Sequence, residues 1–392
     1  MAFIDIPSST QEAHKLTLIP GPIEFTDAVL AANAYPAQAH TGPDFVAVFQ
    51  SALKNTRKLF KSTDPDAQPL VISASGTLGW EIVGSNFLTE NERVLLLSTG
   101  FFSDAFADCL KVFTDRVDVL PAPLGDVVSF SKVEDALKKA VDDKEPYAVI
   151  TITHVDTSSG VLMDVEKYAE LVKRVSPTTL IIVDGVCSVA VETLEFDKWG
   201  LDYVLTASQK GVDVPPGLSI SFASKRALEK AKTVKPRTYY SNLQKWIPIM
   251  KAYESGAGAY FATPPVQLIH ALDVSLKEIV PDLDARIAKN AVVAEKLRSN
   301  LDSIGIKCLA KPGVGAHGVS GYYFPESING PAFLKSVGAR GIQLATGIYK
   351  GIKDDYFRIG HMGVSALGEG RRDLEICFEV IQEALKENGY SS

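Results

Sequence analysis

Thr179-Leu180-Ile181-Ile182-Val183-Asp184 and Tyr203-Val204-Leu205-Thr206-Ala207-Ser208-Gln209-Lys210 are two apolar runs that each finish in a charged residue. Leu180 to Val183 is apolar at every position, so a strand built from it must be covered on both faces, as in a parallel sheet between helical layers. Further runs of this kind lie on either side: Pro69 to Ser75, Arg93 to Thr99, Arg116 to Leu120, Ala148 to His154 and Leu218 to Ala223. Helical patterns separate them between about residues 45 and 225, and such alternation predicts an α/β/α sandwich with a mainly parallel sheet. Ligands of these sheets sit beyond the carboxyl ends of the strands. Ser75, Thr99, Asp184 and Lys210 fall at or just past those ends, so the fold is expected to bring them together.

After Pro264-Pro265 the texture changes. One long helical pattern, Val266 to Leu301, leads into shorter strands around Gly321-Tyr322-Tyr323-Phe324 and Tyr356-Phe357-Arg358-Ile359, then a helix from about Gly368 to Glu387. The expected organisation is a large α/β domain over residues 26–265 and a smaller α+β C-terminal domain over 266–392. Residues 1–25 are expected to pack with the small domain and the pocket.

Composition narrows the class. The 392 residues carry a net charge of −7 with no lysine-arginine block, which argues against nucleic acid or an anionic membrane as partner. Cys109, Cys187, Cys308 and Cys377 show neither pairing nor metal-ligand spacing, so no metal is expected and a reducing compartment is. Met1-Ala2-Phe3-Ile4-Asp5-Ile6-Pro7 has no signal or transit character, and Tyr390-Ser391-Ser392 is not a peroxisomal tripeptide. A cytoplasmic location is the expectation.

The chemistry begins with the two strand ends. A lysine and an aspartate so placed suit pyridoxal 5′-phosphate: the amine condenses with the aldehyde, and the carboxylate keeps a proton on the pyridine nitrogen, making the ring an electron sink. The plainer alternatives are an aspartate that caps the next turn and a solvated lysine. Ser75-Gly76-Thr77, after a strand and before a helical pattern, suits the phosphate by its backbone N–H groups, or is simply a tight turn. In Thr99-Gly100-Phe101-Phe102-Ser103 one aromatic stacks on the ring, or both phenylalanines are core. In the turn His154 to Gly160, Thr157 or a neighbouring serine reaches the cofactor's phenolic oxygen, and His154 is equally a histidine satisfied within the turn, with no chemical role. Arg358, among strand-type residues, either forks a substrate carboxylate or pairs with an acid of its own chain.

These segments resemble the class V group of fold-type-I pyridoxal-phosphate aminotransferases, of the alanine–glyoxylate (serine–pyruvate) kind, over nearly the whole chain. The blocks are Ile19-Pro20-Gly21-Pro22, His40-Thr41, Ser75-Gly76-Thr77, His154 to Gly160, Val183-Asp184, Ala207-Ser208-Gln209-Lys210, Tyr260-Phe261-Ala262-Thr263-Pro264-Pro265 and Arg358-Ile359-Gly360. The resemblance implies that Lys210 is the Schiff-base lysine, Asp184 the partner of the pyridinium nitrogen, and Ser75, Gly76, Thr77 and Gln209 the phosphate site. Phe102 would stack on the ring where animal members often have tryptophan, and Thr157 would lie beside it. Arg358 would bind the substrate carboxylate, and Gly21 and Pro22 would line the substrate pocket. Tyr260 and Thr263 would reach the phosphate of a neighbouring subunit in a homodimer with shared active sites. The implied reaction is ping-pong transamination of L-alanine with glyoxylate, with serine as the alternative donor. Two features stand apart from the pattern: Phe102 itself, and Gly211 where many members place alanine after the lysine.

Cysteine desulfurases share this fold and lysine but need a reactive cysteine on a mobile loop. Gly305-Ile306-Lys307-Cys308-Leu309 reads as a strand instead, and Gln209 stands where that group carries histidine.

Overall fold

A computed structural model describes residues 3–4 and 9–390. The terminal residues weighed above for targeting, Met1-Ala2, Asp5-Ile6-Pro7 and Ser391-Ser392, lie outside the described residues. All seven apolar runs form strands of a single sheet: β1 Gln68–Ser73, β2 Val94–Ser98, β3 Val117–Pro121, β4 Val149–Thr153, β5 Leu180–Asp184, β6 Tyr203–Ala207 and β7 Leu218–Ala223. Their spatial order is β1-β7-β6-β5-β4-β2-β3. Only β7 runs antiparallel to its neighbours, and the rest pair in parallel. Thr153, Asp184 and Leu205 are level in register at the carboxyl ends of β4, β5 and β6. The chain leaves β2 for β3 on one side and enters β4 on the other, the reversal beside which sheets of this type open a crevice.

Helices cover both faces. Thr77–Phe87 buries almost its whole length, which is why its apolar pattern shows no polar stripe. Pro43–Leu59 starts with proline in its first turn and buries Phe45, Phe49 and Leu53. Burying such side chains contributes about 1.5–3 kcal/mol each.

The second, smaller core gathers Leu297, Leu301, Tyr322, Phe333, Phe357, Ile359, Cys377 and Ile381 around a three-stranded antiparallel sheet. Its strands are β8 Val319–Tyr323, β9 Ala345–Thr346 and β10 Tyr356–Gly360, with β10 in the middle. Leu16 and Leu18 belong to this core, and Leu16–Thr17 pairs in parallel with Ile342–Gln343.

Four expectations need correction. The helical run from Val266 is broken into Val266–Ile279 and Leu283–Ser303 by a 3-10 turn at Val280–Asp282, because Pro281 has no N–H to continue the ladder. The first of these helices packs Val266, Ile269, Leu272 and Leu276 into the large core, so that core extends past residue 265. The last helix starts at Asp373 rather than Gly368, after a turn in which Gly370 has φ +72°. Cys308 makes only an isolated bridge to Tyr322, not a strand.

Candidate active site

Asp184, the last residue of β5, is buried to 3% exposure. Its Oδ2 accepts the indole Nε1–H of Trp80 at 2.7 Å, and its Oδ1 accepts the Val186 N–H at 3.0 Å. Burial raises the carboxyl pKa to about 6, against the pull of those hydrogen bonds. Among the described residues no side-chain cation is hydrogen-bonded to it, so a cationic group brought into the site meets an acid that lacks only positive charge. A protonated pyridine nitrogen is such a group.

Lys210 follows β6 in a tight turn and is buried. Its Nζ donates to the Pro20 carbonyl, and burial, helped by the Arg358 charge, lowers its pKa from the ordinary lysine value. The result is an amine biased toward its nucleophilic neutral form. Gly21 is pressed on this side chain: a Cβ there would lie 2.6–2.8 Å from Lys210 Cδ, Nζ and Cε, and its φ of +120° favours glycine in any case.

Gly211 is also a packing requirement. A Cβ on it would stand 2.5 Å from the Val189 carbonyl oxygen and Val191 Cγ2. Gly211→Ala is therefore expected to cost about 1–3 kcal/mol through overpacking against backbone. The urea midpoint of the cofactor-free chain measures it, and an unchanged midpoint would show that the Val189–Val191 turn gives way.

Among the expected residues, Gly21, Ser75, Gly76, Thr77, Phe102, Thr157, Asp184, Gln209 and Lys210 line a single cavity of about 270 Å³. The phosphate turn fits an anion. Among the described residues, Gly76 and Thr77 have no protein acceptor for their N–H groups at the start of helix Thr77–Phe87, and Gln209 Oε1 is buried without a partner. Gly76 lets this turn sit on the sheet, since a Cβ would come within 3.0 Å of Val186 Cγ2 and 3.1 Å of Ala207 Cβ.

Phe102 is presented by a buried acid that the sequence reading passed over. Asp156 Oδ2 accepts the N–H groups of Phe102 and Ser103 at 3.1 and 2.9 Å, and Oδ1 accepts the Ser158 hydroxyl at 2.6 Å. That arrangement caps helix Phe101–Lys111 at its positive end and occupies Ser158 structurally. Thr157 is the hydroxyl of that turn that faces the cavity. The idea that Phe101 and Phe102 are both core is wrong, for Phe101 is 46% exposed and Phe102 lines the cavity.

Other expected residues stand elsewhere. His154, in a bend just past the end of β4, points to the opposite side of the backbone from Thr153 and Val155, into a separate cleft between the large domain and helix Leu283–Ser303. Burial lowers its pKa to about 4, and its Nδ1 has no partner, so it is not satisfied by its own turn. Arg358 does not line the cavity. Its Nε donates to the Thr346 carbonyl at 2.9 Å and its Nη1 to that of Thr157 at 3.3 Å. Among the described residues it has no carboxylate partner, so the intramolecular salt bridge weighed above is not there. Pro22 is outside the lining, while Tyr260 and Thr263 are exposed and away from their own chain's cavity. Cys308 lies in another groove with its thiol pKa raised by burial.

Trp80, Val186 and Cys187 line the cavity without having been expected. Trp80 carried a usable signal: a buried tryptophan one turn into the helix after the phosphate turn needs an acceptor for its N–H. Cys187 carried none, and burial pushes its thiol up to about 12.

Comparison with known proteins agrees with this geometry. Residues 28–348 match the aminotransferase class-V family. The chain is 43% identical to alanine–glyoxylate aminotransferase 1 of Saccharomyces cerevisiae, over 94% of this chain and 97% of the yeast protein. It is 29% identical to serine–glyoxylate aminotransferase of Arabidopsis thaliana, over 95% and 90% of the two chains. The crystal structure of alanine–glyoxylate aminotransferase from Nostoc sp. superposes with a TM-score of 0.86 at 23% identity, covering 97% of this chain and 98% of that one. The family match over most of the chain and the 43% identity to the yeast protein place it: the chain belongs to the class-V aminotransferases.

Proposed function

We propose that this chain is a pyridoxal 5′-phosphate enzyme that transfers the amino group of L-alanine to glyoxylate, giving pyruvate and glycine. The observation that carries the reading is the placement of Lys210 and Asp184 on one cavity, each buried and neither in an ion pair, in a chain 43% identical to the yeast enzyme. When bound, the cofactor supplies an aldehyde that accepts the amino group and a protonated ring that withdraws electrons from the substrate Cα.

Each protein group has a task. Asp184 holds the proton on the ring nitrogen. Lys210 takes the proton from substrate Cα and returns it to the carbon that receives nitrogen, and its lowered pKa suits both directions. Ser75, Gly76, Thr77 and Gln209 hold the phosphate. Phe102 covers the ring face, with stacking worth about 0.5–1.5 kcal/mol beyond its buried area, and Thr157 lies beside it. Arg358 stands behind the lining, with Nη1 on the carbonyl of the cavity residue Thr157 and no carboxylate partner among the described residues, and binds the carboxylate common to amino and oxo acids. Gly21 closes the cavity from the N-terminal segment, against the Lys210 side chain, and Pro22 follows it outside the lining. The active unit is a homodimer in which Tyr260 and Thr263, exposed in one chain, complete the phosphate site of the partner, and its location is cytoplasmic.

The direct test is the visible spectrum of the purified protein before and after L-alanine, with no oxo acid present. A cofactor band that bleaches with alanine supports the proposal. A band that persists with alanine and bleaches with serine moves the donor to serine, and no band after added cofactor overturns the reading. Arg358→Ala is expected to raise KM for alanine and glyoxylate roughly 10–100-fold, the range of a charge-assisted hydrogen bond of about 1.5–3 kcal/mol. Steady-state kinetics with both substrates check this, and an unchanged KM would take Arg358 out of the pocket.

A further inference from the structure

Two donors fix the Asp184 carboxylate, and they are not equivalent. The Val186 N–H, at 3.0 Å, comes from the aspartate's own turn and moves with it. The Trp80 Nε1–H, at 2.7 Å, comes from a separate element, helix Thr77–Phe87, whose first residues form the phosphate turn. One rigid helix therefore reaches toward both ends of the cofactor site. The indole is held in place: Trp80 is 8% exposed and its ring is stacked on Phe106 at 5.3 Å and 14°.

Donor chemistry gives this contact a direction. An indole N–H donates and never accepts, so it stabilises an ionised carboxylate more than a protonated one, whose carbonyl oxygen is the weaker acceptor. It carries no charge, so it cannot replace a cationic ring nitrogen as the counter-charge. We propose that Trp80 is a positioning residue, whose N–H keeps the Asp184 carboxylate ionised and in one orientation as the acceptor for the protonated nitrogen of the cofactor. Without it, burial would favour the neutral acid more strongly, since burial is the main force raising the Asp184 pKa and the Trp80 bond opposes it.

The inference rests on the assignment of Asp184 to the ring nitrogen, and the test separates the two. Affinity of cofactor-free chain is measured calorimetrically for pyridoxal 5′-phosphate and for its 1-deaza counterpart, which has C–H in place of the ring nitrogen. In Trp80→Phe, which keeps an aromatic ring, binding of pyridoxal phosphate is expected to weaken about tenfold while deaza binding stays within about twofold. Equal weakening of both probes, or of neither, overturns the role of Trp80. A parent chain that binds both probes equally overturns the Asp184 assignment, and the proposal with it. Should the variant fail to fold, the ¹⁵N-labelled parent chain answers the same question through its three tryptophan indoles. One indole N–H signal shifting with pyridoxal phosphate and not with the deaza probe supports the proposal, and identical spectra with the two probes overturn it.

Discussion

Lys210→Ala is expected to lower transamination by roughly 10⁴-fold, combining loss of a proton-transfer group with loss of the amine that primes the aldehyde. Cofactor is expected to remain bound, because Ser75, Gly76, Thr77, Gln209 and Asp184 are untouched and line the same cavity. The fold is expected to survive as well. Among the described residues Lys210 makes one side-chain hydrogen bond, to the Pro20 carbonyl, and no ion pair, so its removal strands no salt-bridge partner. The measurement is single-turnover loss of the cofactor band with L-alanine, alongside cofactor content and thermal unfolding. Loss of less than about tenfold with full cofactor would remove Lys210 from the chemistry. Partial recovery with added small amines would identify the missing function as proton transfer at Cα.

The large sheet was legible because parallel strands covered on both faces advertise themselves as unbroken apolar runs, of which Leu180 to Val183 is the clearest. The convergence of Ser75, Asp184 and Lys210 followed from the rule that these sheets present their carboxyl ends to ligands, whereas Thr99, expected with them, does not line the cavity. Less visible were features that depend on tertiary neighbours. Nothing local marks Asp156 as the cap of helix Phe101–Lys111, since donor and acceptor lie more than 50 positions apart in sequence. The Trp80 contact to Asp184 spans a still longer separation. Arg358 illustrates the opposite case: its residue type was telling, but only the structure shows that carbonyls hold it and no carboxylate neutralises it. His154 is not satisfied within its turn because alternation along the backbone sends Thr153 and Val155 to the cavity and the His154 ring to the opposite side. The Pro281 break was readable in principle and was overridden by the apolar periodicity on both sides of it.

Asp184→Asn is expected to reduce kcat roughly 10²–10⁴-fold, the consequence of removing one partner of a buried charge pair, which costs about 3–5 kcal/mol. The side chain keeps nearly the same shape, so cavity packing is preserved and the loss reports charge. The same substitution has a pH signature that packing damage would not reproduce. In the cofactor-free chain the Asp184 pKa is raised by burial to about 6, against an ordinary value of 3.8. Between those values the folded chain holds a proton that the unfolded chain has released, so this group's contribution to stability falls as pH rises through that window and stays unfavourable above it. A cationic ring nitrogen removes the cost by supplying the counter-charge. The rise in unfolding temperature on adding pyridoxal 5′-phosphate is therefore expected to be larger at pH 7.5 than at pH 5. The cofactor's phosphate also titrates near this range, so the comparison is made against Asp184→Asn, in which the phosphate term persists and the carboxylate term is gone. A pH dependence identical in parent and variant would show that Asp184 carries no charge to the cofactor, and would leave its burial beside Lys210 without a chemical role.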